Sequence, residues 1–390
     1  MEHPAGGCPV AARAGFKPAP TYAVAGLIVL LLAVCLSSCG QPAPAAPSSA
    51  SAISLTDALG RQVDLPAPPQ RLVAAGKGVT MLLDAIFLFP EARQHLVAAG
   101  SGQAGSEGFL PLVEPSFSNV TVLAGDGGAE PIAAARPDLV LLKSYSASKL
   151  GQSIETLGLK TLYLDLETPE QFLRDLAILG QAFGETARAN ELIKYYQASM
   201  EEVAQGATTL SVQDTLPGAV KLPRVLLAQV TVKGGSAAIL VPPAGWIQTL
   251  MVERAGGLAV WKEASDKGGY AVVNLEQVAA WDPDFIFLVD YQGDSAATSA
   301  NLAQSVEWKE LRAVRENHFL GFPGDFVSWD QADPRWILGQ LWVAKQLAPE
   351  QYATLDLQEE AARFFQFAYG LSLEKYRQGI TPQLQGDLQR

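Results

Sequence analysis

Apolar residues along this chain fall in two patterns. From Tyr22 to Leu36 they run almost without interruption for fifteen residues; from residue 53 onward they come in short bursts separated by amphipathic stretches. The first pattern predicts an export signal rather than a membrane span. Arg13 and Lys17 precede it and small polar residues follow at once, and it is shorter than the roughly 20 residues a spanning helix needs. The second pattern predicts strands at Leu72–Ala75, Leu96–Ala99, Thr161–Leu164, Val225–Val230 and Phe319–Phe322, with helices such as Val79–Leu88 and Trp246–Ala255 between them. Such alternation argues for an α/β protein with mostly parallel sheets covered by helices.

One stretch of this pattern occurs twice. The segment "GGAEPIAAARPDLVLLKSYS" (127–146) aligns without gaps with "VNLEQVAAWDPDFIFLVDYQ" (273–292), pairing Glu130 with Glu276, Pro137-Asp138 with Pro283-Asp284 and Tyr145 with Tyr291, always 146 residues apart. Each copy reads as a short helix that Pro ends, then a strand buried on both faces, then polar residues. Two lobes of similar build follow. Between them Thr168-Pro169-Glu170 opens a helical stretch that runs, with one break at Gly184, to about Ala204, since Pro in the first turn with Glu behind it is a start signal. The helix from Thr186 would cover roughly 30 Å. The lobes are expected at 53–167 and 222–390, with terminal helices in the second; a linking helical segment at 168–205 and a loop at 206–221 join them.

The apolar run ends in "CLSSCG", after which comes the tract "QPAPAAPSSASA". Leu36-Ser37-Ser38-Cys39 resembles the lipobox of bacterial lipoproteins, in which the signal is cut before the cysteine and that cysteine is acylated. The resemblance implies a signal peptide at 1–38 and a lipid anchor on Cys39. Several acyl chains, each buried CH₂ adding about 0.8 kcal/mol, make such attachment stable. The Pro/Ala/Ser tract reads as a flexible stalk over 39–52. Removing residues 1–38 takes Lys+Arg from 28 to 26 and Asp+Glu from 40 to 39, so the net charge moves from -12 to 26 − 39 = -13. An acidic chain of this kind is a poor partner for nucleic acid. Cys8 and Cys35 leave with the leader, and the remaining Cys39 has no partner for a disulfide. About 340 folded residues suffice for a large core without such staples.

Six stretches in order, "LTDALGRQVDLPAPPQRLVAAG" (55–76), "EPIAAARPDLVLL", the linking helix, "VERAGGLAVW" (252–261), "LEQVAAWDPDFIFL" and "EWKELRAVRENHFLGFP" (307–323), resemble the substrate-binding proteins of bacterial iron-siderophore, haem and cobalamin ABC importers. The resemblance spans about 53–350. It implies two α/β lobes bridged by a rigid helix, a monomer, a small-molecule ligand held between the lobes, and delivery to a permease dimer driven by an ATPase. "DPRWILGQLWVAKQLAPEQY" (333–352) and "FFQFAYG" (364–370) are similar to the iron-compound branch. The resemblance further places on each lobe a carboxylate that meets arginines of the permease, here Glu130 and Glu276.

Ligands of open parallel sheets sit outside the carboxyl ends of the strands, which nominates the loops after each apolar run. Those loops carry Lys77 and Tyr145 in the first lobe and Lys233, Trp246, Tyr291 and Trp329 in the second. Rings with a few cations suit a flat or bulky anionic chelate. Only His95 and His318 remain after the leader, too few for a bare-metal receptor, and no metal site or cofactor is expected. No G-x-S-x-G elbow, P-loop or H-E-x-x-H occurs. A surface-anchored enzyme, or a sensory or interaction lipoprotein on the same fold, stands as the alternative to a receptor.

Overall fold

The computed structural model describes residues 52–101, 106–125, 128–214, 221–233, 236–265 and 268–388; the signal, Cys39 and nearly all of the stalk lie outside them. A hairpin of β1 (Ile53–Thr56) and β2 (Gln62–Leu65) leads into the first sheet. Its elements are β3 (Leu72–Ala74), α1 (Val79–Ile86), β4 (Leu96–Gly100), α2 (Ser106–Val113), β5 (Thr121–Leu123), α3 (Ala129–Ala134), β6 (Leu139–Lys143), α4 (Gln152–Thr156) and β7 (Thr161–Leu164). The strands pair in the order β5-β4-β3-β6-β7, all parallel. Side-chain alternation explains why the central strands are apolar throughout. Leu72, Ala74, Leu139 and Leu141 face the main core, while Val73, Val140 and Leu142 point to a smaller core on the other face with Ile132 and Ile154.

Two helices link this sheet to the second. Thr168 caps α5 (Pro169–Phe183) by accepting from the Gln171 amide at 3.3 Å, and Gly184 ends it in a left-handed conformation. α6 then runs from Thr186 to Asp214. The expected loop at 206–221 is therefore wrong over 206–214, which continue the helix. Gly206 and the two β-branched threonines after it read locally as a break, but packing overrides that preference. Thr208 and Thr209 turn their hydroxyls back onto the carbonyls of Ala204 and Gln205. Gly206 gives room to Tyr352, whose hydroxyl would lie 2.4 Å from a Cβ there.

The second sheet comprises β8 (Arg224–Lys233), β9 (Ser236–Val241), α7 (Ile247–Arg254), β10 (Leu258–Ala259), β11 (Ala271–Val273), α8 (Leu275–Trp281), β12 (Phe285–Val289), α9 (Ser295–Leu302), α10 (Val306–Lys309), α11 (Arg312–Arg315) and β13 (Phe319–Gly321). Its path is β11-β9-β8-β12-β13, with β10 beside β8. β8, β12 and β13 are parallel, whereas β9 runs against its neighbours and makes the sheet mixed. α12 (Trp336–Leu347) and α13 (Leu357–Tyr369) close the fold, and one continuous apolar core joins both sheets through α5, α6, α12 and α13.

The repeated segments fold alike. Each short helix, α3 or α8, ends on a non-glycine residue with positive φ directly before Pro, Arg136 at 48° and Asp282 at 41°. An arginine at the start of the adjoining strand then binds the helix's last carbonyls: Arg71 takes those of Ala135 and Arg136, and Arg224 takes that of Trp281. The aspartate after each Pro accepts a backbone amide from that same neighbourhood, Asp138 from Gln70 at 2.8 Å and Asp284 from Arg224 at 2.7 Å. The shared Pro-Asp is thus a clip that fixes a helix end to the edge of its sheet.

Candidate functional site: the carboxyl edges of the two sheets

Both sheets direct the carboxyl ends of their parallel strands to one junction. The loop after β3 feeds α1, and the loop after β13 runs through residues 322–335 into α12. These elements touch across the lobes. Asp84 of α1 meets Arg335 at 2.9 Å, and the rings of Phe109 on α2 and Phe326 lie 6.0 Å apart.

In the first lobe the loop Gly76-Lys77-Gly78 wraps the Tyr145 hydroxyl, which donates to the Lys77 carbonyl at 3.0 Å. Gly78 starts α1 with φ 70°, and a Cβ there would sit 2.4 Å from that hydroxyl, so only glycine fits. Lys77 is exposed and the Tyr145 ring is 53% exposed. Beneath them Lys143, the last residue of β6, is fully buried. It pairs with Glu167 at 2.7 Å, donates to the Asp165 carbonyl and lies 5.9 Å from the Tyr145 ring. Burial lowers its pKa against the pull of Glu167. Its charge is committed inside the lobe, whereas Lys77 in the loop above is exposed.

The second lobe presents rings. Trp246, half-buried before α7, stands edge-to-face with Tyr270 at 5.1 Å. The Tyr270 hydroxyl lies 3.1 Å from that of Tyr291, which donates to the buried Asp330 at 2.6 Å. A phenol has one proton, so Tyr291 accepts from Tyr270 and the chain of bonds points inward to the carboxylate. Burial, then the Asp330 charge, raises the Tyr291 pKa well above its ordinary value, although its ring is 37% exposed; the hydroxyl is the inward end. Burial also raises Asp330, with Ser328, Tyr291 and Gln248 opposing. This wall is apolar on its face and held from behind.

Trp329 departs from the expected wall. It is fully buried, with its indole N–H donating to Asp325 at 2.9 Å; a tryptophan inside this loop is covered because its N–H has an internal acceptor. Lys233 ends β8, and its side chain is outside what is described. The sequence reading nominated neither Tyr270 nor Asp330. Asp330 directly follows Trp329 with no local partner to single it out, and Tyr270 follows a glycine pair with no signal of its own. Glu130 and Glu276 are both exposed in the first turns of α3 and α8.

A surface depression of about 230 Å³ beside Pro68, Gln70 and His95 lies at the amino end of β3, away from this chemistry. Among the described residues no three His, Cys, Asp or Glu side chains gather as a metal site, and no helix is long and apolar enough to cross a membrane.

Comparison with known proteins agrees with this architecture. The iron-uptake system-binding protein of Bacillus subtilis is 22% identical over 306 residues, 75% of this chain and 88% of that protein. The molybdate-binding protein MolA of Haemophilus influenzae is 22% identical over 264 residues, 62% of this chain and 70% of its own. Among solved structures, a periplasmic solute-binding protein of Veillonella parvula superposes with a TM-score of 0.67 at 20% identity, covering 85% of this chain and 99% of that one. MolA bound to molybdate gives 0.64 at 20% identity, covering 82% and 98%. A family model described as periplasmic binding protein matches residues 119–325, more than half of the 390 residues. This chain belongs to the periplasmic binding protein family, the extracytoplasmic substrate-binding proteins of ABC importers.

Proposed function

We propose that this protein captures a metal chelate of siderophore, haem or cobalamin type between its lobes and hands it to a permease dimer powered by an ATPase. The observation that supports the reading is the cluster of Trp246, Tyr270 and Tyr291 rings in the second lobe together with the exposed Lys77 at the carboxyl edge of the first. Such a surface supplies contact area to a bulky ligand and one charge to orient it. A small oxyanion is better served by several converging N–H donors. Glu130 and Glu276, one per lobe at equivalent positions, fit charge-assisted docking on arginines of the permease. Cys39 tethers the protein by its lipid, as the description of the related Bacillus subtilis protein YvrC as a lipoprotein suggests.

Thermal-shift measurements of the soluble domain against ferric siderophores, haem, cobalamin and molybdate test the substrate class. A rise in Tm with one of the chelates and none with molybdate is expected; stabilisation by molybdate alone contradicts the chelate reading. The anchor is tested by Cys39→Ser, which is expected to move the protein from the detergent phase to the soluble fraction.

A further inference from the structure

Where the lobes touch, four buried charged side chains meet that the cleft chemistry does not use. Asp84 comes from α1 of the first lobe; Asp325, Asp333 and Arg335 come from the loop between β13 and α12 of the second. None of the four side chains is more than 2% exposed. Arg335 reaches Asp333 at 2.6 Å, Asp84 at 2.9 Å and Asp325 at 3.1 Å, with its guanidinium 4.0 Å from the Phe109 ring centre. An arginine stays charged in such a place. Three ionised carboxylates against one guanidinium would still leave a net charge of −2, which is costly away from water.

Two oxygens resolve the difficulty. Asp84 Oδ1 and Asp333 Oδ2 are each buried with no donor, and the two carboxyl groups meet on the same Arg335 Nη1, at 2.9 and 2.6 Å. Carboxylates without a proton repel at that range, whereas one proton between them satisfies both atoms. We propose that a single proton is held between Asp84 Oδ1 and Asp333 Oδ2 and pins the first lobe to the second.

Geometry points to Asp84 as the carrier, because Asp333 Oδ1 accepts both the Arg335 amide at 3.0 Å and its guanidinium at 2.6 Å, whereas Asp84 has the guanidinium alone at 2.9 Å. Burial, then the Asp333 charge, pushes Asp84 well above the carboxylate range against the pull of Arg335. Asp333 is buried too, but Arg335 and the hydrogen bond from Asp84 outweigh that and hold it low. Asp84 is therefore the acid, and Asp333 keeps the charge that answers Arg335. The other titratable groups facing the junction are Asp325, raised by burial and bonded to the Trp329 indole, and the phenols of Tyr196 on α6, Tyr369 on α13 and Tyr376, all raised by burial and neutral. Because Asp84 titrates higher folded than unfolded, the folded protein holds an extra proton above about pH 4, and its stability declines as pH rises toward the folded value. The junction grips best in acid.

The test compares melting temperatures of the full chain, Asp84→Asn and Asp333→Asn over roughly pH 5 to 9. Asparagine at 84 can donate to Asp333 and accept from Arg335, imitating the protonated acid with no charge to gain. Asp84→Asn is expected to melt within about 3 °C of the natural protein at neutral pH and to decline less toward alkaline pH, while Asp333→Asn loses about 8 °C or more. Equal damage from both variants, or parallel pH profiles for Asp84→Asn and the natural protein, would overturn the proposal. Should Asp333→Asn fail to fold, infrared spectroscopy decides. The carbonyl band of a protonated carboxylic acid is expected at neutral pH in the natural protein and not in Asp84→Asn, and its absence from the natural protein refutes the shared proton.

Discussion

Tyr145 and Tyr291 occupy the same place in the two halves of the chain, 146 residues apart, yet their hydroxyls are used differently. Tyr145 donates to a backbone carbonyl of the Gly76–Gly78 loop and leaves more than half of its ring exposed beside Lys77. Tyr291 donates to a buried carboxylate, receives Tyr270, and with Trp246 completes an aromatic wall. Behind the two tyrosines the frame is the same in both lobes: a short helix ended by a residue of positive φ, a Pro-Asp clip, an arginine on the helix's last carbonyls, and a central parallel strand. The frame is shared and the walls differ, one beside an exposed charge and the other built of rings.

The shared part of that comparison gives the largest expected effect. If Glu130 and Glu276 dock the two lobes on a two-fold permease, Glu130→Lys with Glu276→Lys abolishes uptake and stimulation of the ATPase while ligand affinity stays unchanged, because neither glutamate is one of the residues assigned to the ligand. Normal uptake by that double variant removes the docking assignment. The divergent part predicts an asymmetry in binding. Tyr291→Ala is expected to weaken affinity about 30-fold, roughly 2 kcal/mol, since it dismantles the wall and strands Asp330; Tyr145→Ala is expected to cost about 5-fold. Equal losses in a fluorescence titration would mean that the ligand sees both lobes alike. The clip gives the smallest effect. Asp284 also pairs with Arg312, so Asp284→Ala should destabilise by about 2 kcal/mol against about 1 kcal/mol for Asp138→Ala in chemical denaturation. The reverse order would show that the clips are not equivalent in the way their geometry indicates.

Much of the fold was legible because the signal was local. β7 was expected at the residues it occupies, and β3, β4 and β13 within one residue, since strands buried on both faces are unbroken apolar runs between turn residues. The repeat was legible because Pro-Asp marks a helix end in the chain itself. What sequence could not reveal depended on partners distant in the chain. The helix passes through Gly206 where Tyr352, some 150 positions away, packs against it, a contact the local sequence does not announce. Trp329 is the exception: its N–H acceptor Asp325 stands only four residues before it, but no pattern along the chain announces that contact, and the ring was read as part of the cleft. Tyr270 and Asp330 gain meaning only when Tyr291 stands between them. The Asp84–Arg335 contact joins residues 251 positions apart and has no local trace at all.

Native mass spectrometry of the purified protein, loaded with the chelate that raises its Tm, tests the central claim most directly when set beside a Trp246→Ala/Tyr291→Ala variant. One chelate per chain is expected in the natural protein and its loss from the variant under the same conditions, with the charge-state distribution of the folded chain retained. A variant that keeps the chelate at the same occupancy would place the ligand away from the aromatic wall and contradict the cleft described here.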